Sequence, residues 1–177
     1  MLISTVDVYR DPVGVDEDSE ITFDGLHAYG VNRYRLESFV RQHHPDALIV
    51  RLPGLFGPGL KKNVIYDFLH DNNIDKIHAD GVFQYYNLDH LWADISTALD
   101  HGLKQVNLTS APIRTGDLAL DAFGIEFDNR PDGQVAGRYD VQTKLSETFG
   151  SQGRYTRTRA ETLVELAAFV ASERNGS

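Results

Sequence analysis

The chain predicts an α/β fold, and three stretches carry that expectation. Residues 47 to 52, Ala-Leu-Ile-Val-Arg-Leu, form a nearly continuous apolar run. Such a run is expected of a parallel strand covered on both faces. Just before it, residues 27 to 44 place Ala28, Leu36, Phe39 and Val40 on one helical stripe, and Pro45 stops the helix. Earlier still, Leu2-Ile3-Ser4-Thr5-Val6-Asp7-Val8-Tyr9 reads as a strand that ends in hydroxyl residues and turns into a loop. Strand, helix and strand in this order build sheets whose faces are covered by helices.

The remaining elements follow in order. Arg10 to Gly25 is an exposed connector in which Asp16, Glu17, Asp18 and Glu20 are expected simply to be solvated, because nothing spaces them as an ion loop. After the strand comes a Gly/Pro loop, Pro53 to Gly59, and then a short helix from Asn63 to Leu69. Lys76-Ile77-His78 and Phe83 to Leu88 are two short strand candidates. Asp89 is placed to cap a helix from Leu91 to Leu103, with Leu91, Ile95 and Leu99 at helical spacing. Gln105 to Leu108 reads as another strand. Thr115 is expected to cap a helix holding Leu118, Leu120 and Phe123, which Gly124 ends. Gly133 to Gly137 and Gly150 to Gly153 are turns. The last helix opens on a capping box, Thr158-x-x-Glu161, and carries Leu163, Leu166, Ala167 and Val170 on its apolar face. Trp92, Tyr85 and Tyr86 are expected in the core or at an interface.

Composition bounds the function. A length of 177 residues allows one domain, or one with a small appendage, and 41% hydrophobic with 24% charged residues is the balance of a soluble globular protein. A net charge of −9 argues against nucleic acid and against an anionic membrane as partners, since both call for a basic surface. With no cysteine there is no disulfide, thiolate nucleophile or Cys-ligated zinc. The seven histidines form no His-x-x-x-His or His-x-x-Glu-His arrangement, so no metal is expected. No basic leader, and no apolar stretch long enough to span a membrane, stands in the sequence. The expected compartment is the cytoplasm.

The stretch richest in chemistry is Ala28-Tyr29-Gly30-Val31-Asn32-Arg33, followed by Arg51-Leu52-Pro53-Gly54-Leu55-Phe56-Gly57-Pro58-Gly59. On a helix, Tyr29 and Arg33 lie one turn apart on one face. A cation beside a phenol favours the phenolate, so such a pair suits proton exchange with a substrate hydroxyl.

Read together, these stretches resemble the extended short-chain dehydrogenase/reductases, the NAD-dependent sugar-nucleotide epimerases and dehydratases. Thr5, four residues before Tyr9, falls where that family has its catalytic Ser/Thr, and Tyr29 falls at the catalytic Tyr. Arg33 takes the place of the family's Lys, and Glu37 also fits the pattern. The resemblance implies catalytic roles for Thr5, Tyr29 and Arg33. It implies cofactor contacts from Tyr29, Arg33, Pro53 and Leu55, and substrate contacts from Asn63, which opens the family's nucleotide-binding helix, and neighbouring Lys62. Residues 83 to 95 and 106 to 110 continue the likeness more loosely.

Three departures accompany it: Arg33 for Lys, Gly54 where the family has a diphosphate-holding Asn, and Phe83 or Gln84 where it has an arginine clamp. The family's glycine-rich turn is missing, since Gly14 and Gly25 follow an acidic loop. The implied fold is a partial doubly wound Rossmann-like parallel sheet with a small mixed C-terminal substrate-binding region. Residues 1–60 are expected to form the second half of the sheet with the catalytic Tyr helix, and residues 61–177 the substrate-binding region interleaved with the last strands. The implied function is the catalytic part of an NAD(P)-dependent epimerase, dehydratase or reductase acting on a sugar-nucleotide-like small molecule. Binding of NAD or NADP by this chain alone is expected to be weak or absent. The alternative is a non-catalytic binding or assembly module derived from such an enzyme. A homodimer, or a complex with a separate N-terminal half, would complete the sheet edge left at the first strand.

Overall fold

A computed structural model describes residues 1–175. It is an α/β structure organised on a three-stranded parallel sheet of β1 (Leu2–Thr5), β3 (Ile49–Leu52) and β7 (Gln105–Asn107), in the order β1-β3-β7. The central strand is buried along its whole length, as its apolar run predicts. Its side chains alternate between faces. Val50 and Leu52 meet Ile95 and Ala98 of α3 (Leu91–Asp100), whereas Arg51 turns to the other face and meets α1 (Ala28–His43). One helix therefore covers each face. On its outer side β1 pairs with no strand among the described residues.

Arg51 makes that second face unusual. Its guanidinium donates to both carboxylate oxygens of Glu37 on α1, at 3.0 and 2.7 Å, and both side chains are almost completely removed from solvent. Ser4 of β1 donates to the same carboxylate at 2.6 Å. Arg51 also donates to the Tyr9 hydroxyl at 2.7 Å, which Asn107 Nδ2 reaches at 3.1 Å while the hydroxyl itself donates to the Asp16 carbonyl. Burial alone would push the Glu37 carboxyl up. The bonds and charge of Arg51, helped by Ser4 and Arg41, outweigh burial and hold it below the usual range.

A second core fills the C-terminal side. There α2 (Val64–His70), α4 (Thr115–Phe123) and α5 (Arg159–Asn175) close over Phe56 of β4 (Gly54–Phe56) and Tyr85 of β6 (Tyr85–Asn87). The strands β4 and β6 run parallel, and β5 (Val82–Phe83) pairs antiparallel with β8 (Ile113–Arg114). The Thr158–Glu161 capping box forms as predicted, each residue bonding the other's backbone N–H.

Several expectations are corrected. The first strand ends at Thr5, at its hydroxyl residues as expected, but Val6–Val8 turns into a 3-10 helix capped by the Thr5 side chain rather than a plain loop. Residues 76–78 are not a strand: Asn129 Nδ2 reaches the carbonyls of Ile74, Asp75 and Ile77, so those groups join no ladder. Neither Asp89 nor Thr115 caps a helix. Asn87 instead accepts from the Asp89 N–H, and Thr115 donates to the Gly81 carbonyl. The helix predicted to reach Leu103 ends at Asp100.

The connector is not merely solvated. Val13–Val15 forms β2 and pairs with β9 (Asp140–Val141), while the Glu17 carboxylate accepts from Asn107 N, Thr143 Oγ1 and Lys144 N. Nor does the apolar stripe of α1 face the sheet. Leu36 is 40% and Phe39 55% exposed, and the residues α1 buries are Gly30 and Glu37. Tyr85 and Tyr86 are core residues as expected, but Trp92 is 72% exposed and packs into no core here.

Candidate active site

The parallel register places Thr5 opposite Leu52. The carboxyl ends of β1 and β3 thus lie side by side, with Thr5 at one and half-buried Pro53 directly after the other. The first turn of α1 comes to the same end because Gly30 has no side chain. A Cβ there would stand 2.3 Å from the Asp7 carbonyl and 2.8 Å from Leu26. Tyr29, next to Gly30, is therefore carried to the end where Thr5 sits. Its ring is 50% exposed and lies parallel to His27, which caps the helix by accepting from the Gly30 N–H. The Arg33 guanidinium stands over the Tyr29 ring, 5.7 Å from its centroid, a cation–π arrangement.

Thr5 is not a free hydroxyl. It donates to Asp7 Oδ2 at 3.0 Å and accepts from the Asp7 N–H at 3.2 Å. The other oxygen of Asp7 accepts from the Tyr139 hydroxyl at 3.0 Å. Burial, then the charge and hydrogen bond of Asp7, push the Tyr139 phenol up, so it remains a neutral donor. Tyr139 packs against Phe83 with ring centroids 5.7 Å apart. Phe83 is in turn a wall of a cavity of about 290 Å³ lined also by Val64, Ile77, His78, Thr115 and Val135. Aromatic contact therefore leads from the Thr5–Asp7 pair to this cavity. Asp7 and Tyr139 were not foreseen. They lie 132 positions apart, and no local pattern joins them.

Leu55 and Asn63 also come together. Asn63 Nδ2 donates to the Leu55 carbonyl at 2.8 Å, while Asn63 Oδ1 accepts from the N–H groups of Ile65 and Tyr66 at the start of α2. Its backbone stands at φ 89°, ψ 174°, a region other than glycine rarely occupied. Lys62 is exposed beside it. Where the family has its arginine clamp, Phe83 lines the cavity and Gln84 is fully engaged, donating to the Ser110 and Val141 carbonyls and accepting from the Val141 N–H. Arg114 and Arg130 are both held by Asp80, whose carboxyl they keep down at about 2.

A larger open groove of about 620 Å³, between Met1, Val40 and residues 43–47, lies at the opposite end of the sheet and holds none of the expected site residues. Among the described residues no cluster of His, Cys, Asp or Glu could hold a metal ion, and no helix is long and apolar enough to cross a membrane.

No family model matches the chain, and no curated protein does. Solved structures do. A dTDP-4-dehydrorhamnose reductase from Clostridium acetobutylicum superposes with a TM-score of 0.68 at 21% identity, over 97% of this chain and 65% of that one. The fold is that of the sugar-nucleotide epimerases and reductases. The Bordetella bronchiseptica enzyme WbmG, in complex with NAD, gives a TM-score of 0.71 at 18% identity, over 96% of this chain and 58% of its own. A variant of the Bacillus cereus UDP-glucuronic acid 4-epimerase, with UDP-4-deoxy-4-fluoro-glucuronic acid and NAD, gives 0.70 at 16% identity, over 99% and 61%. This chain thus spans only about three fifths of the length of the proteins whose fold it shares.

Proposed function

We propose that the chain is the catalytic and substrate-binding part of an NAD(P)-dependent epimerase, dehydratase or reductase acting on a sugar-nucleotide-like substrate. One observation carries this reading: Thr5, the first turn of α1 with Tyr29, and Pro53 converge at the carboxyl ends of adjacent parallel strands, where ligands of such sheets bind. The cavity behind Phe83 and Tyr139 is available for the remote part of a substrate whose reacting hydroxyl or carbonyl reaches Thr5.

The residues at this end suit the nicotinamide part of a dinucleotide. Pro53, directly after the end of β3 beside Thr5, and Leu55 two residues on are half-buried apolar residues. The glycine-rich turn with which the family holds a pyrophosphate does not stand in this sequence. A bound nicotinamide would supply hydride acceptance and donation. Tyr29 then exchanges the proton of the substrate hydroxyl, Arg33 holds positive charge over the Tyr29 ring, and Thr5 orients the substrate oxygen. Asn63 fixes the start of α2 at the cavity wall, and Lys62 offers charge to a phosphate.

The test is hydride transfer between NAD and a sugar nucleotide, read by absorbance of the reduced nicotinamide, for the chain alone and with any copurifying partner. Replacing Tyr29 by Phe is expected to slow the transfer by about 10²- to 10⁴-fold, the usual contribution of a proton-transferring group. An unchanged rate in Tyr29→Phe ends the enzyme reading.

The second reading is an assembly module. The outer side of β1, unpaired among the described residues, and the exposed Leu36 and Phe39 on α1 favour it, because an unpaired edge and an apolar helix face both gain from a covering chain. A separate N-terminal half or a second copy would serve. Light scattering that finds only monomer at working concentration, with no partner retained through purification, rejects it.

A further inference from the structure

We propose that Asp7 determines specificity at this site: it admits a neutral, hydroxyl-bearing sugar end at Thr5 and disfavours one carrying a carboxylate beside the reacting carbon. The inference rests on the function proposed above. Its basis is the way the Thr5 hydroxyl is held. The hydroxyl hydrogen points to Asp7 Oδ2 at 3.0 Å, and the Asp7 backbone N–H occupies one of its lone pairs. A substrate oxygen that can only accept a hydrogen bond must therefore compete with a carboxylate for the Thr5 proton. A substrate hydroxyl can instead donate to that carboxylate, which accepts at several positions at once.

Asp7 takes part in no ion pair among the described residues, and its second partner, Tyr139, is a neutral phenol. Arg33 on α1 has its guanidinium over the Tyr29 ring. A substrate carboxylate brought to Thr5 would lie within a few ångströms of Asp7 in a half-buried setting, where like charges repel far more than in bulk water. The Phe83–Tyr139 pair joins Asp7 to the cavity wall through packed side chains.

The test compares calorimetric binding of UDP-glucose and UDP-glucuronic acid, which differ by one carboxylate, to the chain and to Asp7→Asn. The expected result is at least about tenfold tighter binding of UDP-glucose by the unaltered chain, equivalent to ~1.4 kcal/mol. Asp7→Asn should narrow the ratio to within a factor of about three while the backbone N–H to Thr5 is retained. Asp7→Ser, which also removes the charge, should narrow it likewise and serves if the Asn variant does not fold. Equal binding of the two nucleotides by the unaltered chain, or a ratio that both substitutions leave unchanged, overturns the inference and leaves the proposed function standing. Failure of both nucleotides and of UDP itself to bind overturns the proposed function, and the inference with it.

Discussion

Glu37→Gln is the substitution whose consequence follows most directly from the packing. The amide fits the space of the carboxylate, so the change removes charge and acceptor capacity without opening a cavity. It leaves the Arg51 guanidinium, 2% exposed, without a counter-ion and turns an NH₂ toward an N–H that formerly donated to Glu37. Removing one partner of a buried pair typically costs ~3–5 kcal/mol, because the remaining charge stays desolvated. Against a total stability of about 5–15 kcal/mol for a domain, that is a large share. Urea unfolding followed by circular dichroism measures it. Replacing both partners by methionine should recover most of the loss, since an apolar pair of similar volume commonly matches a buried ion pair.

The acid limb gives an independent check. The folded Glu37 carboxyl titrates below its unfolded value, so its stabilisation is complete above about pH 4.3 and is lost as the pH falls through the folded value. Glu37→Gln should therefore flatten the stability profile in that acidic window and leave its shape near neutrality alone. A loss under about 1 kcal/mol, the range of exposed pairs, would show that water reaches the pair and would refute the description of a dry joint between α1 and β3.

Three further outcomes are expected. Gly30→Ala puts a methyl against the Asp7 carbonyl and should lower stability by about 1–3 kcal/mol on thermal unfolding, with altered amide shifts for Tyr29 and Asp7. Tyr85 buries its hydroxyl with no hydrogen-bond partner among the described residues, so Tyr85→Phe should be neutral or stabilise by up to ~1 kcal/mol in denaturant titration; a clear loss would reveal a partner. Asn63→Ala removes the cap from α2 in a backbone conformation alanine dislikes and should cost ~2 kcal/mol or more, whereas Asn63→Gly should cost less because glycine accepts φ 89°.

What the sequence revealed was local. The run at 47–52, the Pro45 stop and the Thr158–Glu161 box each express a preference of a few neighbouring residues, and the structure keeps all three. The errors arose where distant partners decide. A helical stripe of Leu36, Phe39 and Val40 predicts an inward apolar face, yet the face α1 turns to the sheet is set by Glu37 meeting Arg51 and by the close approach at Gly30. Residues 76–78 satisfied a strand's alternation, but one asparagine some fifty residues later takes up the carbonyls a ladder needs.

The candidate site shows the same division. The position of Thr5 before Tyr9, the Tyr29–Arg33 spacing and the Pro53–Leu55 stretch are visible locally, although Gly54–Phe56, expected as part of a Gly/Pro loop, forms β4. The convergence of Thr5, Pro53 and the first turn of α1 needs the strand register. Asp7 carried no local signal of its own; its partner Tyr139 arrives only when β9 docks beside β2.

The central claim is that the strand ends and the cavity behind Phe83 form one substrate site. Nuclear magnetic resonance of the isotopically labelled chain titrated with UDP-glucose tests it most directly. The account predicts one saturable set of shifts that includes the amides of Thr5, Asp7 and Tyr29 together with Phe83 and residues 134–137. Shifts confined to the groove around Met1, Val40 and residues 43–47, or shifts at the cavity that never reach Thr5 and Asp7, would contradict it.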